Sequence, residues 1–423
     1  MLSRRNFLGG LLATTACSSQ MAWGLAKSEP IRIGVTGSFS ASANEPFMLG
    51  ESMRNGARLA VTEINLMGGI SGRSIALVER DDEGQYARAM RVADELINDE
   101  KVVAVIGGLN PVTCWASIDL YQTAQVPLVI AGASDVELTR KFIPPRATSN
   151  YIFRVAPTML QEVQLLLREL TRRNLQQVLL LSPADASWDN NQQQLEQAFK
   201  GVPIDIVMQY RSKAGETDFR DVLRAARKQG VNAVLAWGNA NELTALAQNR
   251  LQLNWPVPLL GSWVMSSQPF LDQLGAAAEG LMMPQTFIAE FTRSSPYFRN
   301  SFFLAYEDSF KTSRIPVPMA ATQGYDALNL LVAALRNGNA QTGRELRMAL
   351  ENLRGPIEGA MVRYDKPFSA TEHDAITADR LLIGQVHEGR VMPTTAPIHK
   401  PSAETLANSL DRQEINSRTR NRP

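Results

Sequence analysis

From residue 31 onward, short apolar runs alternate with stretches whose apolar residues recur every three or four positions. Ile31–Thr36, Ser74–Arg80, Val102–Ile106 and Val126–Ala131 predict strands. Between the first two, Met53, Ala57, Ala60 and Ile64 share one face of a helix over Glu51–Leu66 that stops at Gly68-Gly69. Tyr86, Met90, Ala93 and Ile97 mark a second helix, and Pro111–Thr123 a third. Val102–Ile106 is apolar without alternation, as a strand covered on both faces should be.

The rhythm resumes after Phe153. Leu160, Val163, Leu167 and Leu170 predict a helix, Val178–Leu181 a strand, and another helix follows Trp188. Strand Ile204–Tyr210, a helix face of Phe219, Val222, Leu223 and Ala226, strand Val231–Trp237, helix Glu242–Leu251 and strand Val257–Leu260 complete the run. Strands alternating with helices predict an α/β fold of parallel sheets flanked by helices. Two such runs, 31–150 and 154–280, predict two similar Rossmann-like lobes. Beyond them, 296–311, 320–337 and 342–353 read as helices, while Gly355–Asp365 and Leu381–Val391 read as strand or hairpin segments. The polar stretch 397–423 is expected to be a mobile tail.

The first residues carry a different signal. SRRNFLGG at 3–10, followed by a short apolar stretch, resembles a twin-arginine export signal, so residues 1–26 are expected to be an address and not part of the fold. Gly24-Leu25-Ala26 offers small residues for cleavage before Lys27. The alternative is a lipoprotein box at Thr14–Cys17 that would leave a lipid anchor on Cys17, although it lacks the usual leucine at 14. Either route leads to the periplasm. No later apolar run reaches the ~18 residues that a membrane span requires.

Composition narrows the chemistry. The 423 residues suffice for two or three domains. Forty-three basic against forty-two acidic residues leave a net charge of +1 and no field to draw in nucleic acid. Two cysteines exclude a disulfide scaffold, and the three histidines, His373, His387 and His399, form no paired metal motif. No cofactor is expected.

In an open parallel sheet, ligands sit beyond the carboxyl ends of the strands. The residues there are small and polar: Thr36-Gly37-Ser38, Gly107-Gly108-Leu109-Asn110 and Gly132-Ala133-Ser134-Asp135. Asn110-Pro111 starts a helix, with Asn as cap and Pro at the first position. The amides of Val112 and Thr113 could then face a ligand oxygen, or Asn110 could merely cap the helix. Gly34-Val35-Thr36-Gly37 lacks the dinucleotide spacing, and neither a phosphate loop nor a nucleophile elbow nor a zinc-protease motif occurs. Asp81-Asp82 could serve an enzyme, but an acidic pair ending a strand suits a turn better.

IRIGVTGSFS, NGARLAVTEINLMGGISGRSIALVERDDEG and VVAVIGGLNPVTCWASIDLYQTAQVPLVIAGASDVELT together resemble periplasmic solute-binding proteins of the leucine/isoleucine/valine-binding type, which serve ABC transporters of amino acids and amides. The resemblance continues through VNAVLAWGNANELTALAQ and AAEGLMMPQTF to about residue 390. It implies two lobes joined by crossovers near 154–157, 284–290 and 357–364, with 27–155 and 288–356 in the first lobe and 156–287 and 357–396 in the second. By position it implies a ligand held by Ser134, by backbone groups of Gly132 and Ala133, by Val112 and Thr113, and by Trp188, Asn239 and Trp263 of the second lobe. The family's ammonium-binding carboxylate falls at Trp263, which points to an amide, aromatic or apolar acid as much as to an amino acid. The implied function is capture of a small organic solute by a monomer and its delivery to an ABC transporter permease, without catalysis. A periplasmic sensor on the same fold is the alternative.

Overall fold

The computed structural model describes residues 29–40, 48–184, 186–289, 301–338, 340 and 342–394. The expected export signal with Cys17 and the tail 397–423 lie outside the described residues. Among the described residues, no helix is long and apolar enough to cross a membrane.

The first lobe runs β1 (Ile31–Gly37), α1 (Leu49–Leu66), β2 (Ile75–Asp81), α2 (Tyr86–Asp94), β3 (Ala104–Gly107), α3 (Pro111–Ala124), β4 (Leu128–Ile130), α4 (Glu137–Arg140) and β5 (Ile152–Arg154). Its strands lie in the order β2-β1-β3-β4-β5, and every pairing is parallel. All of β3 and β4 is buried, as their unbroken apolar runs require, because helices cover both faces. Helix α2 ends in a π-helical turn, Glu95–Asp99, that buries Leu96.

The second lobe begins with α5 (Met159–Arg172), β6 (Gln177–Pro183), α6 (Ala186–Phe199), β7 (Asp205–Ser212) and α7 (Arg220–Lys228). It continues with β8 (Ala233–Ala236), α8 (Ala240–Gln252), β9 (Leu259–Gly261), α9 (Gln268–Leu274) and β10 (Met282–Gln285). The chain then forms α10 (Ser301–Phe310), α11 (Pro318–Gly338), α12 (Gly343–Glu351), β11 (Ile357–Glu358), β12 (Arg363–Tyr364), β13 (Leu382–His387) and β14 (Arg390–Pro393). The second sheet has the order β14-β13-β10-β9-β8-β6-β7, with β13 antiparallel to both β10 and β14 at one edge.

Helix α11 returns to the first lobe and lies against α1. A side chain at Gly56 would collide with the Ala321 carbonyl, and one at Gly324 with the Met53 carbonyl, so glycine at both positions lets the two backbones touch. Tyr325 closes the contact by donating its hydroxyl hydrogen to Glu63 Oε2 at 2.6 Å.

Residues 357–364 depart from expectation. Asp326, buried on α11, accepts the amides of Ala360 and Met361 and the Tyr364 hydroxyl, which holds the β11–β12 hairpin to the first lobe. The chain leaves for the second lobe only later, after 365–376 has run alongside β5. There His373 stacks on Phe153 at 4.0 Å, and Phe368 meets the same ring edge-on at 4.9 Å. Arg154 N donates to the His373 carbonyl and Ala375 N to the Arg154 carbonyl, each at 2.9 Å. The sequence gives no local sign of this, because the buried acid that holds the hairpin sits thirty-odd residues upstream.

Candidate functional site

The carboxyl ends of the first lobe's strands present the loops after β1, β3 and β4. Asn110 caps α3: its Oδ1 accepts the Thr113 amide at 2.9 Å, and Pro111 occupies the first turn. Thr113 is therefore buried with its amide engaged by the cap, which removes one of the two amides expected to face a ligand. Val112 is half exposed, and its amide has no side-chain cap.

The loop after β4 is fixed from all sides. Ala133 N donates to the Gly108 carbonyl at 2.9 Å, and the Ala133 carbonyl accepts from Arg154, so both backbone groups of Ala133 are engaged within the fold. Gly132 lies so close to Leu109 that a side chain there would meet backbone atoms at 2.9 Å. Asp135, fully buried, accepts the Trp115 indole N–H at 2.8 Å and the Glu137 amide at 3.0 Å. Ser134 is held only through its carbonyl, which accepts the Met159 amide at 2.7 Å. Its half-buried hydroxyl makes no hydrogen bond among the described residues.

Arg154 is the organiser that sequence reasoning missed. It is fully buried; Nε donates to Asp374 Oδ1 at 2.7 Å, Nη1 to the Asp135 carbonyl at 2.6 Å, and Nη2 to Thr139 Oγ1 at 3.0 Å. Its pairing partner lies 220 residues away, so no local pattern could have found it.

On the second lobe, Trp188 is 4% exposed and packs at 5.5 Å against Trp237 in a core cluster of its own. Trp263 is fully buried, and its carbonyl accepts from Ser266 and Gln285. Asn239 is the N-cap of α8. Its Oδ1 accepts the Glu242 amide at 3.1 Å while Nδ2 donates to Glu242 Oε1 at 2.8 Å, so its polar groups serve the helix. In the structure Asn239, Ala133 and the Thr113 amide are all engaged in internal hydrogen bonds.

The lobes touch beyond the strand tips. Val136 N donates to Asn191 Oδ1 and Gln194 Nε2 to Glu137 Oε1, both at 2.9 Å. A polar crevice of roughly 470 Å³ lies on this seam between Trp115, Glu137 and Arg146 on one side and Gln193 and Gln194 on the other.

Several buried polar atoms at the strand tips have no partner: Ser38 Oγ beyond β1, Ser182 Oγ on β6, Trp237 Nε1 beyond β8, and Glu162 Oε1 in the first turn of α5. Others, such as the Tyr121 hydroxyl and Thr244 Oγ1, lie within helices away from the tips. A buried, unpaired polar group costs about 1–3 kcal/mol. These four lie near the carboxyl ends of β1, β6 and β8 and in the first turn of α5, where a polar guest would satisfy them.

The other candidates have structural roles. Asp81 accepts from Phe39 N, Ser40 Oγ and Glu83 N, and Asp82 from Gly84 N, which makes the pair a turn device. Burial raises Asp82 to about 6. Cys114 is fully buried, and burial pushes its thiol far above the usual range, so it behaves as a small apolar residue. Among the described residues, no three metal-ligating side chains converge.

Comparison with known proteins places these features. The sequence pattern described as "Periplasmic binding protein" matches residues 30–390. The leucine-specific-binding protein of Salmonella typhimurium is 23% identical over 286 residues, covering 66% of this chain and 72% of that protein. Among solved structures, the branched-chain amino acid transporter substrate-binding protein LivJ from Streptococcus pneumoniae, in complex with isoleucine, aligns with a TM-score of 0.74 at 22% identity over 88% of this chain and 100% of that one. An ABC transporter solute-binding protein from R. palustris, in complex with benzoate, aligns with a TM-score of 0.72 at 18% identity over 88% of this chain and 98% of that one.

Proposed function

The chain belongs to the periplasmic binding protein family, and from that premise we propose that it captures a small organic solute between its lobes and delivers it to the membrane permease of an ABC transporter. The observation that carries this is the set of unpartnered buried polar atoms at the strand tips of both lobes, Ser38 Oγ, Ser182 Oγ, Trp237 Nε1 and Glu162 Oε1. The Ser134 hydroxyl, the Val112 amide and the backbone of Gly132 face the guest from the first lobe, and the indoles of Trp188 and Trp263 wall it from the second. Solute closes the lobes, and the closed form is what a permease recognises. The protein works as a monomer in the periplasm, reached through the twin arginines Arg4 and Arg5. The solute class is that of the relatives' ligands: they are named for leucine and branched-chain amino acids, and one structural neighbour holds benzoate.

Thermal unfolding with the twenty common amino acids and a set of benzoates tests the function. A true ligand at 100 times its Kd stabilises the fold by about 2.7 kcal/mol, a shift of several degrees in Tm. Ser134→Ala should weaken that ligand roughly tenfold with the apo Tm unchanged. A flat response across both series would refute the proposal.

A further inference from the structure

Glu162 lies on a helix that the sequence predicts from its apolar face, and nothing in the pattern marks it. In the structure it is fully buried in the first turn of α5. Three contacts fix its place. Its amide donates to the cap residue's carbonyl at Thr158, the neighbouring Met159 amide holds the Ser134 carbonyl at 2.7 Å, and its own Oε2 accepts the Trp263 amide at 3.4 Å. The carboxyl thus sits where the first lobe's loop after β4 and the second lobe's loop after β9 converge. The Ser262 side chain also hydrogen-bonds this carboxyl, whose other oxygen, Oε1, is buried without a hydrogen-bond partner.

The nearest cation does not fill that vacancy. Arg154 has Nε, Nη1 and Nη2 all bonded to Asp374, Ala133, Asp135 and Thr139, and donates nothing to Glu162. Oε1 is therefore open to one further donor. Resting on the function proposed above, we propose that Glu162 receives the ammonium group of the solute, so that the cleft selects amino acids over aromatic and aliphatic acids. The tryptophan at 263 then removes no charge partner from the site, because the backbone amide of that residue anchors a carboxylate reaching in from α5.

A second consequence distinguishes this role from simple packing. Burial, the largest influence, raises Glu162 to about 8, against weaker opposing effects of Ser262, the Trp263 amide and Arg154. The other elements packed on α5 bring no competing charge to it. β10 carries no titratable residue, His387 of β13 is exposed and paired with Glu279, and Asp189 and Glu196 of α6 and Asp379 and Arg380 near α5 lie at the surface. Without a cationic partner, Glu162 is therefore mostly protonated at pH 7. An ammonium arriving beside it favours the carboxylate, and the carboxyl proton leaves to solvent: R–NH3+ and Glu–COOH become R–NH3+ paired with Glu–COO−, plus H+.

Calorimetric titration of the full chain at pH 7, with the twenty amino acids and benzoate as probes, tests this. Repeating each titration in two buffers of different ionisation heat counts the protons. The expected result is an amino acid that binds with release of close to one proton, and a Glu162→Gln variant that loses that affinity by roughly 30-fold or more and releases none. Benzoate binding without any amino acid binding would overturn the assignment while leaving the proposed function standing. Proton-neutral amino-acid binding by the unaltered chain would also overturn it, and that readout does not depend on the variant's folding. Glu162→Gln within threefold of the parent would do the same. Binding of none of these probes would overturn the function and the assignment together.

Discussion

With Nε, Nη1 and Nη2 all engaged, Arg154 fixes the loop that carries Ser134 without reaching into the cleft. Replacing it with methionine strips Asp374 of its only cationic partner, leaving it the Thr139 hydroxyl alone, and removes the guanidinium donors of two loop carbonyls in a dry interior. Urea unfolding of Arg154→Met should show a loss of about 3–5 kcal/mol. Lysine should not restore it, since a point charge cannot serve four separated acceptors. At this scale the sequence was legible only in part. Ser134 stands where the strand-end rule and the family resemblance put it, with a free hydroxyl. Trp188 and Trp263 are only 4% and 1% exposed and pack into core clusters, and their sequence neighbours do not reveal which way an indole turns. Arg154 and Glu162 were invisible, because a charged residue inside an apolar run reads as surface until its distant partner is known.

Elements were far more legible than side chains. Asn110-Pro111 announced α3, and the periods of four and three announced α1, α2 and α5, because capping and burial act over a few residues. What escaped was short or held from afar: β5 has three residues and β10 four, too few for a period, and the β11–β12 hairpin depends on Asp326. The capping box at α8 gives Asn239 a structural role that its sequence neighbours barely hint at. An asparagine after a strand looks alike whether it serves a ligand or the next helix, and only Glu242, three residues on, hints at the second. Asn239→Ala should therefore cost about 1 kcal/mol in urea unfolding and leave solute affinity within twofold. A large loss of affinity with unchanged stability would return Asn239 to the site.

Over the whole molecule, three buried carboxyls set a common pH dependence. Burial raises Asp82 to about 6, Asp326 to about 7 and Glu162 to about 8. In the unfolded chain each loses its proton near pH 4. Between about pH 5 and 7 the folded state thus binds more protons than the unfolded one, and stability falls as pH rises. Their contribution is complete below about pH 4, declines by up to ~1.4 kcal/mol per pH unit for each group still protonated, and is exhausted above about pH 8. Urea midpoints at pH 5, 6, 7 and 8 should fall in that order, and Asp326→Asn should flatten the stretch below pH 7. Midpoints rising over this range would contradict it. The paired backbone at Arg154 has a mechanical meaning for the same molecule. The bonds of residue 154 to 373 and 375, with Gln161 Nε2 on the Ile376 carbonyl at 2.7 Å, stitch two of the connecting segments side by side. Stitched ribbons would swivel together, giving the halves a shared axis if they turn. Such a joint favours an all-or-none latch over a spectrum of gaping shapes, and a transporter would then meet only two silhouettes.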